Sequence, residues 1–196
     1  MSAVAASRAR ADQPPPVVLG MVIFIASETV FFGGLFAAYY LLRSENPVWP
    51  PASAAEIFKP GPFLQAIVAS VILWSSSLPA HVAGVSLRRE DFPAMRRWVW
   101  LTIVMGCVFL LWKFTEWSRA PFAINSHAYG TMFFTLTGFH ALHLVVGLIL
   151  LGGVLVRLAQ DAYRGGNHAG PEAVLYYCHF VDAVWLGVFT TIYLVR

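Results

Sequence analysis

Seven ionisable side chains lie within stretches of this sequence that are otherwise apolar: Glu28, Lys113, Glu116, His140, His143, His179 and Asp182. An eighth, His81, sits nearer the end of such a stretch. Imidazoles and carboxylates this close together could bind a metal, relay protons or hold one another. Three pairs are spaced i, i+3, namely Lys113/Glu116, His140/His143 and His179/Asp182, and on a helix that spacing puts both members on one face. A bis-histidine haem would need two imidazoles at one depth on facing helices, which His140 or His143 opposite His179 could supply. The same spacing lets each pair satisfy itself or a nearby carboxylate, so a closed hydrogen-bonded cluster is the favoured reading. In "HFVD" the expectation is a buried clasp, with Asp182 accepting the ring N–H of His179 and fixing its tautomer. Lys113 and Glu116, near the outer end of their stretch, are expected to form an interfacial ion pair whose long stems reach toward water. Glu28, in "IASETVFFGG", has only Ser27 and Thr29 as polar neighbours. It therefore needs a His or Lys from another element, a lipid headgroup or a file of water, and its role is structural or concerned with protons or lipid. No nucleophile with a base, phosphate-binding glycine loop or zinc spacing is present: Gly165 and Gly166 fall in a connector, Gly152 and Gly153 in a helix. No catalytic and no metal-binding residue is expected in this chain.

The elements that carry these groups follow from composition. The chain has 196 residues, 58% of them hydrophobic and only 12% charged, with a mean hydropathy of +0.66. That is an integral membrane protein, and nucleic acid is not among its expected partners although the net charge is +3. Five apolar segments, about 17–42, 62–87, 98–117, 127–157 and 172–195, each approach or exceed the roughly 20 residues that cross a bilayer as a helix. Barrel strands would be about half as long and would alternate in character. The expectation is an all-α, single-domain bundle of five transmembrane helices over residues 17–196, preceded by a retained basic tail, 1–16. Pro- and Gly-containing connectors, "NPVWPP", "FKPGP", "RREDFP", "RAPF" and "RGGNHAGP", separate the segments.

Basic residues orient the bundle. Arg8, Arg10, Arg88, Arg89, Arg96, Arg97, Arg157 and Arg164 fall on the side of the N-terminus, against Arg43, Lys59, Lys113, Arg119 and Arg196 on the other. The bias places the N-terminus in the cytoplasm and the C-terminus outside. Trp49, Trp98, Trp100, Trp112, Trp117, Tyr39 and Tyr40 lie near segment ends and are expected to anchor there. Small residues four apart, Gly33/Ala37, Ala66/Ser70 and Ala80/Gly84, would allow close helix approach. Cys107 and Cys178 lack metal or CxxC spacing and are expected to be packing residues.

Four stretches carry a resemblance that periodicity could not provide: "GMVIFIASETVFFGGLFAAYY", "FTEWSRAPFAI", "YGTMFFTLTGFHALHLVVGL" and "HFVDAVWLGVFTTIYL". Together and in this order they resemble subunit III of the haem-copper respiratory oxidases. The resemblance implies a structural and modulatory subunit with no active site of its own, binding neither haem nor copper, which reside in partner subunits. It implies packing mainly on subunit I, with subunit II also a partner, phospholipid as a possible ligand, and support of proton uptake in a proton-pumping oxidase. By motif, Glu28 matches the family's buried carboxylate, Glu116 the acid of its "SEY"-like segment, His140 and His143 its "GFHxLH", and His179 and Asp182 its "HFVD". The mitochondrial form has seven spans and this chain matches from the third onward, as five-span bacterial forms do. Residues around Glu28 and Asp182 favour cytochrome c over quinol as the electron donor to the complex. A quinol oxidase, a nitric-oxide-reductase accessory protein and, from another class, a haem-binding quinol enzyme are the alternatives. A multi-pass protein of the bacterial cytoplasmic membrane is implied.

Overall fold

A computed structural model describes residues 15–164, 166 and 168–195. Most of the expected tail lies outside them. The chain is all-helical, and no strand occurs among the described residues. Helix α1 is Pro16–Glu45, α2 Pro60–Ser75, α3 Ser77–Arg88, α4 Phe92–Arg119, α5 Ala128–Ala159 and α6 Ala169–Phe189, the last prolonged by a wider turn, Thr190–Leu194. Joined end to end, α2 with α3 and α6 with its extension, these make five helices among the described residues that are long and apolar enough to cross a membrane. The expected fold class is the one observed.

Local sequence explains where helices start and stop. Proline opens α1, α2 and α4, where its missing N–H costs nothing. Asp91 caps α4 by accepting from Ala94 N at 3.0 Å, and His127 caps α5 by accepting through Nδ1 from Gly130 N at 2.8 Å. Between α3 and α4 the chain reverses through Glu90, whose φ is +55°.

The second segment, expected to be continuous over 62–87, is broken at Ser76. Pro79 lacks the N–H that would bond the Ser75 carbonyl, and the Ser75 and Ser76 hydroxyls bond back to the carbonyls of Ile72 and Leu73 at 2.9 and 2.7 Å. The break brings Ser77 against α6.

Helix α5 packs on both α4 and α6, α2 and α3 pack on α4 and α6, and α1 packs on α5 and α6. The main core gathers Phe109, Phe133, Trp185, Tyr177, Tyr193, Leu73 and Leu136, all buried. Outside it, large apolar side chains such as Val30, Leu111 and Ile149 are exposed, as lipid-facing positions should be. Only Phe32 and Tyr39 of α1 are fully buried.

Two packing expectations are corrected. Tyr39 is no interfacial anchor: it is buried, accepts the Trp49 Nε1–H at 2.9 Å and stacks edge-on with that indole. The connector after α1 folds back over the bundle and brings Trp49 to it. Gly33 has no atom within 4 Å of where a Cβ would stand, so Gly33/Ala37 is not a packing notch within this chain. Ala66/Ser70 and Ala80/Gly84 are buried as expected, with Leu175 Cδ1 3.1 Å from a Cβ placed on Gly84. Cys107 is exposed and Cys178 partly buried, and both are free thiols.

Candidate functional site: three polar contacts across the bundle

Five of the seven ionisable groups inside the bundle enter three separate contacts, each joining two helical segments. The first links α1 to α5. Glu28 Oε2 lies 3.0 Å from His143 Nε2, while His143 Nδ1 lies 2.7 Å from the carbonyl of Phe139. A carbonyl oxygen only accepts, so Nδ1 carries a proton. The short contact on the other ring edge then holds one further proton between Nε2 and the carboxyl. Wherever that proton sits, the pair is neutral as a unit, which is the cheapest state for an acid and a base in low dielectric. Tyr177 OH donates to the His143 carbonyl at 3.0 Å, and Phe31 and Phe32 flank the imidazole.

The second contact joins α4 to the end of α6. Lys113 Nζ donates to Glu116 Oε2 at 2.5 Å and to Tyr193 OH at 3.1 Å, and Tyr193 OH donates to Glu116 Oε1 at 2.6 Å. These three bonds form a closed ring. Lys113 is only 1% exposed, so the expected interfacial pair is corrected to an interior one. The sequence hid the reason, which is Tyr193, together with the rings of Phe133 and Trp185 at 5.0 and 5.2 Å from Nζ. Beside Glu116 an outer cleft of about 210 Å³ is lined by Glu56, Gln65, Trp112 and Arg119 among others.

The third contact corrects the His179–Asp182 clasp. Asp182 Oδ2 instead accepts from the Ser77 hydroxyl at the head of α3. The break in the second span is what delivers that hydroxyl. His179 lies on another side of α6 and lines a cleft of about 220 Å³ with His81, Arg88, Glu172 and Tyr176. At its rim Arg88 of α3 meets Glu172 of α6 at 3.4 Å, and each charge suits the helix end it occupies. Beside Asp182 a small space of about 20 Å³, lined also by Ser76, Thr102 and Cys178, has room for one water molecule.

His140 does not join His143 or any carboxylate. It is 1% exposed, its centroid lies 4.7 Å from that of Trp185 and 6.0 Å from that of Phe109, and neither ring nitrogen has a hydrogen-bond partner. His179 lies six residues from Trp185 along α6, about 9 Å of helix rise, so His140 and His179 are not at one depth. The bis-histidine arrangement is not formed. Among the described residues no group of three or more His, Cys, Asp or Glu stands together as metal ligands. Trp185 was missed by the sequence reading, yet it connects much of the interior: Nε1 donates to Ser70 Oγ at 2.9 Å, and its ring touches both His140 and Phe109.

Comparison with known proteins places the chain in a wider group. A sequence profile described as "Cytochrome c oxidase subunit III" matches residues 14–195. The chain is similar to cytochrome c oxidase subunit 3 of Thermostichus vulcanus, 36% identical over 185 residues, covering 93% of this chain and 89% of that one. Similarity to cytochrome c oxidase subunit 3 of Synechocystis is 37% over 180 residues, covering 90% and 75%. For the probable cytochrome c oxidase subunit 3 of Nocardia farcinica it is 34% over 189 residues, covering 94% and 91%.

Proposed function

The chain belongs to the cytochrome c oxidase subunit III family, and from that premise we propose that it is the non-catalytic, modulatory subunit of a proton-pumping oxidase, seated mainly on subunit I. It is a multi-pass membrane protein, and membership of the family implies a complex with other oxidase subunits. The observation that carries the modulatory reading is the pairing inside the bundle. Glu28 is taken by His143, Lys113 by Glu116 and Tyr193, and Asp182 by Ser77. Acids and bases engaged in this way tie helices together and present no free set of reacting groups.

Phospholipid is the ligand that fits. A groove of about 800 Å³ runs between the start of α1 and the facing parts of α5 and α6, lined by Val17, Met21, Ile149, Val154 and Val174, with Arg157 and Tyr163 as its polar members. Acyl chains suit the walls, and the guanidinium suits a phosphate. Haem and copper belong, on this reading, to the partner subunits, since the histidines here do not converge. The names of the relatives favour cytochrome c as the donor to the complex. A bacterial cytoplasmic membrane with the N-terminus inside fits the basic bias.

Affinity purification through a tag on this chain tests the reading. A haem-copper subunit I should come with it, and the haem absorbance should belong to that partner. Recovery of the chain without subunit I, or a Soret band from the isolated chain, would overturn it.

A further inference from the structure

Helix α4 begins on the same side of the bundle on which α5 ends. Phe92, Pro93, Arg96 and Arg97 of the one, and Leu158 and Ala159 of the other with Arg164 beyond, line a single cleft of about 590 Å³. Three arginines from two separate parts of the chain thus line one space. Arg164 already rests on Asp161 at 2.9 Å. Arg96 and Arg97 are exposed and have no carboxylate within ion-pair distance among the described residues. Neighbouring like charges repel, and an anion between them removes that repulsion.

The surface next to this cleft selects the kind of anion. Trp100, Val104, Val108 and Leu111 follow Arg97 at steps of three and four residues, and all four are exposed. They form an apolar stripe on the arginine face of α4. From Trp100 to Leu111 the helix rises about 16 Å, close to half of the roughly 30 Å hydrocarbon core, so the stripe is one leaflet deep. Inorganic phosphate would use the arginines and leave the stripe idle, and so would an acidic segment of a soluble protein. A diacyl lipid uses both.

We propose that this cleft binds the headgroup of an anionic phospholipid, with the phosphate at Arg96 and Arg97, Arg164 at the rim and the acyl chains along the α4 stripe. Its lining residues are different from those of the α1/α5/α6 groove, and it requires only that the chain spans a membrane. Basic pockets at the ends of membrane helices have the charge and depth for such lipids.

The test uses the oxidase complex containing the full chain, freed of lipid in detergent and then offered dioleoylphosphatidylglycerol, dioleoylphosphatidylcholine or inorganic phosphate. Native mass spectrometry counts what is retained, and phosphatidylglycerol with a photoreactive acyl chain maps where it lies. Phosphatidylglycerol should be retained at concentrations at least tenfold below phosphatidylcholine, and its acyl label should fall within residues 98–112. Arg96→Gln with Arg97→Gln should remove that preference, whereas Arg89→Gln, outside the cleft, should keep it. Equal retention of the two lipids, an unchanged preference in the double variant, or displacement by phosphate with no label on the stripe would each overturn the proposal. If the double variant does not assemble, the position of the label on the native complex decides. A label confined to the α1/α5/α6 groove counts against this site alone and leaves the modulatory reading standing.

Discussion

Lys113 and Glu116 meet inside the bundle, their charged atoms 2.5 Å apart and the lysine screened from water by Trp112, Phe133, Trp185 and Tyr193. Removing one member of such a pair leaves the other buried without its counter-charge. Lys113→Met should therefore cost about 3–5 kcal/mol, whereas the joint change with Glu116→Leu should recover most of that. Thermal denaturation of the purified complex with single and double variants provides the cycle. Additive losses would mean that the two residues do not act as a unit.

Glu28 and His143 differ from that pair because a single proton lies between them and either side chain can carry it. Glu28→Gln retains a hydrogen-bonding partner for Nε2 and should be mild. His143→Ala strands a half-buried acid and should weaken attachment of α1 to α5 by about 1–3 kcal/mol. Limited proteolysis of the connector after α1 reports that attachment, and equal sensitivity in the two variants would contradict the shared-proton picture.

Asp182 offers a functional test. Asp182→Asn can still accept from Ser77, and Ser77→Ala cannot donate. Both variants should leave the initial rate of oxygen reduction by the assembled complex largely intact, with Ser77→Ala losing more of this subunit during sustained turnover. Immediate loss of haem spectra in an assembled variant complex would point instead to a ligand role for the acid.

Four glycines give a ranked prediction. An added Cβ at Gly130 would stand 2.8 Å from the Ala123 carbonyl oxygen, at Gly187 2.9 Å from Phe36 Cζ, and at Gly106 2.8 Å from the movable Leu148 Cδ2, while at Gly33 nothing lies within 4 Å. Backbone yields least and a leucine methyl most, so alanine should destabilise in the order Gly130, Gly187, Gly106, with costs of about 1–3 kcal/mol for the first two. Gly33→Ala should leave the melting temperature of the chain in detergent unchanged. Reversal of the first and third would show that the α5 start can shift.

The spans, the fold class and the need of every intramembrane charge for a partner could be read from the sequence, because bilayer thickness and the cost of burying charge act on local composition. Partners chosen by rotation and depth could not. His179 and Asp182 lie three residues apart, yet the decisive neighbour of Asp182 is Ser77, placed by a proline two residues further on. Tyr193 moved the Lys113–Glu116 pair from surface to interior, and an i, i+3 spacing carries no information about a residue 77 positions away. His140 and His143 share a helix and nearly a face, but α1 reaches only the second.

Helix α1 is held at its middle by Glu28 and near its far end by Tyr39 beneath Trp49, and its first turns border the large groove. From Tyr39 back to Val17 is a lever of about 33 Å. A rotation of only about 5° at the Tyr39 end would swing the opposite end through about 3 Å, measured over that same rise. The Tyr39–Trp49 contact and the Glu28–His143 bond are thus what hold the first turns of α1 where they border the groove.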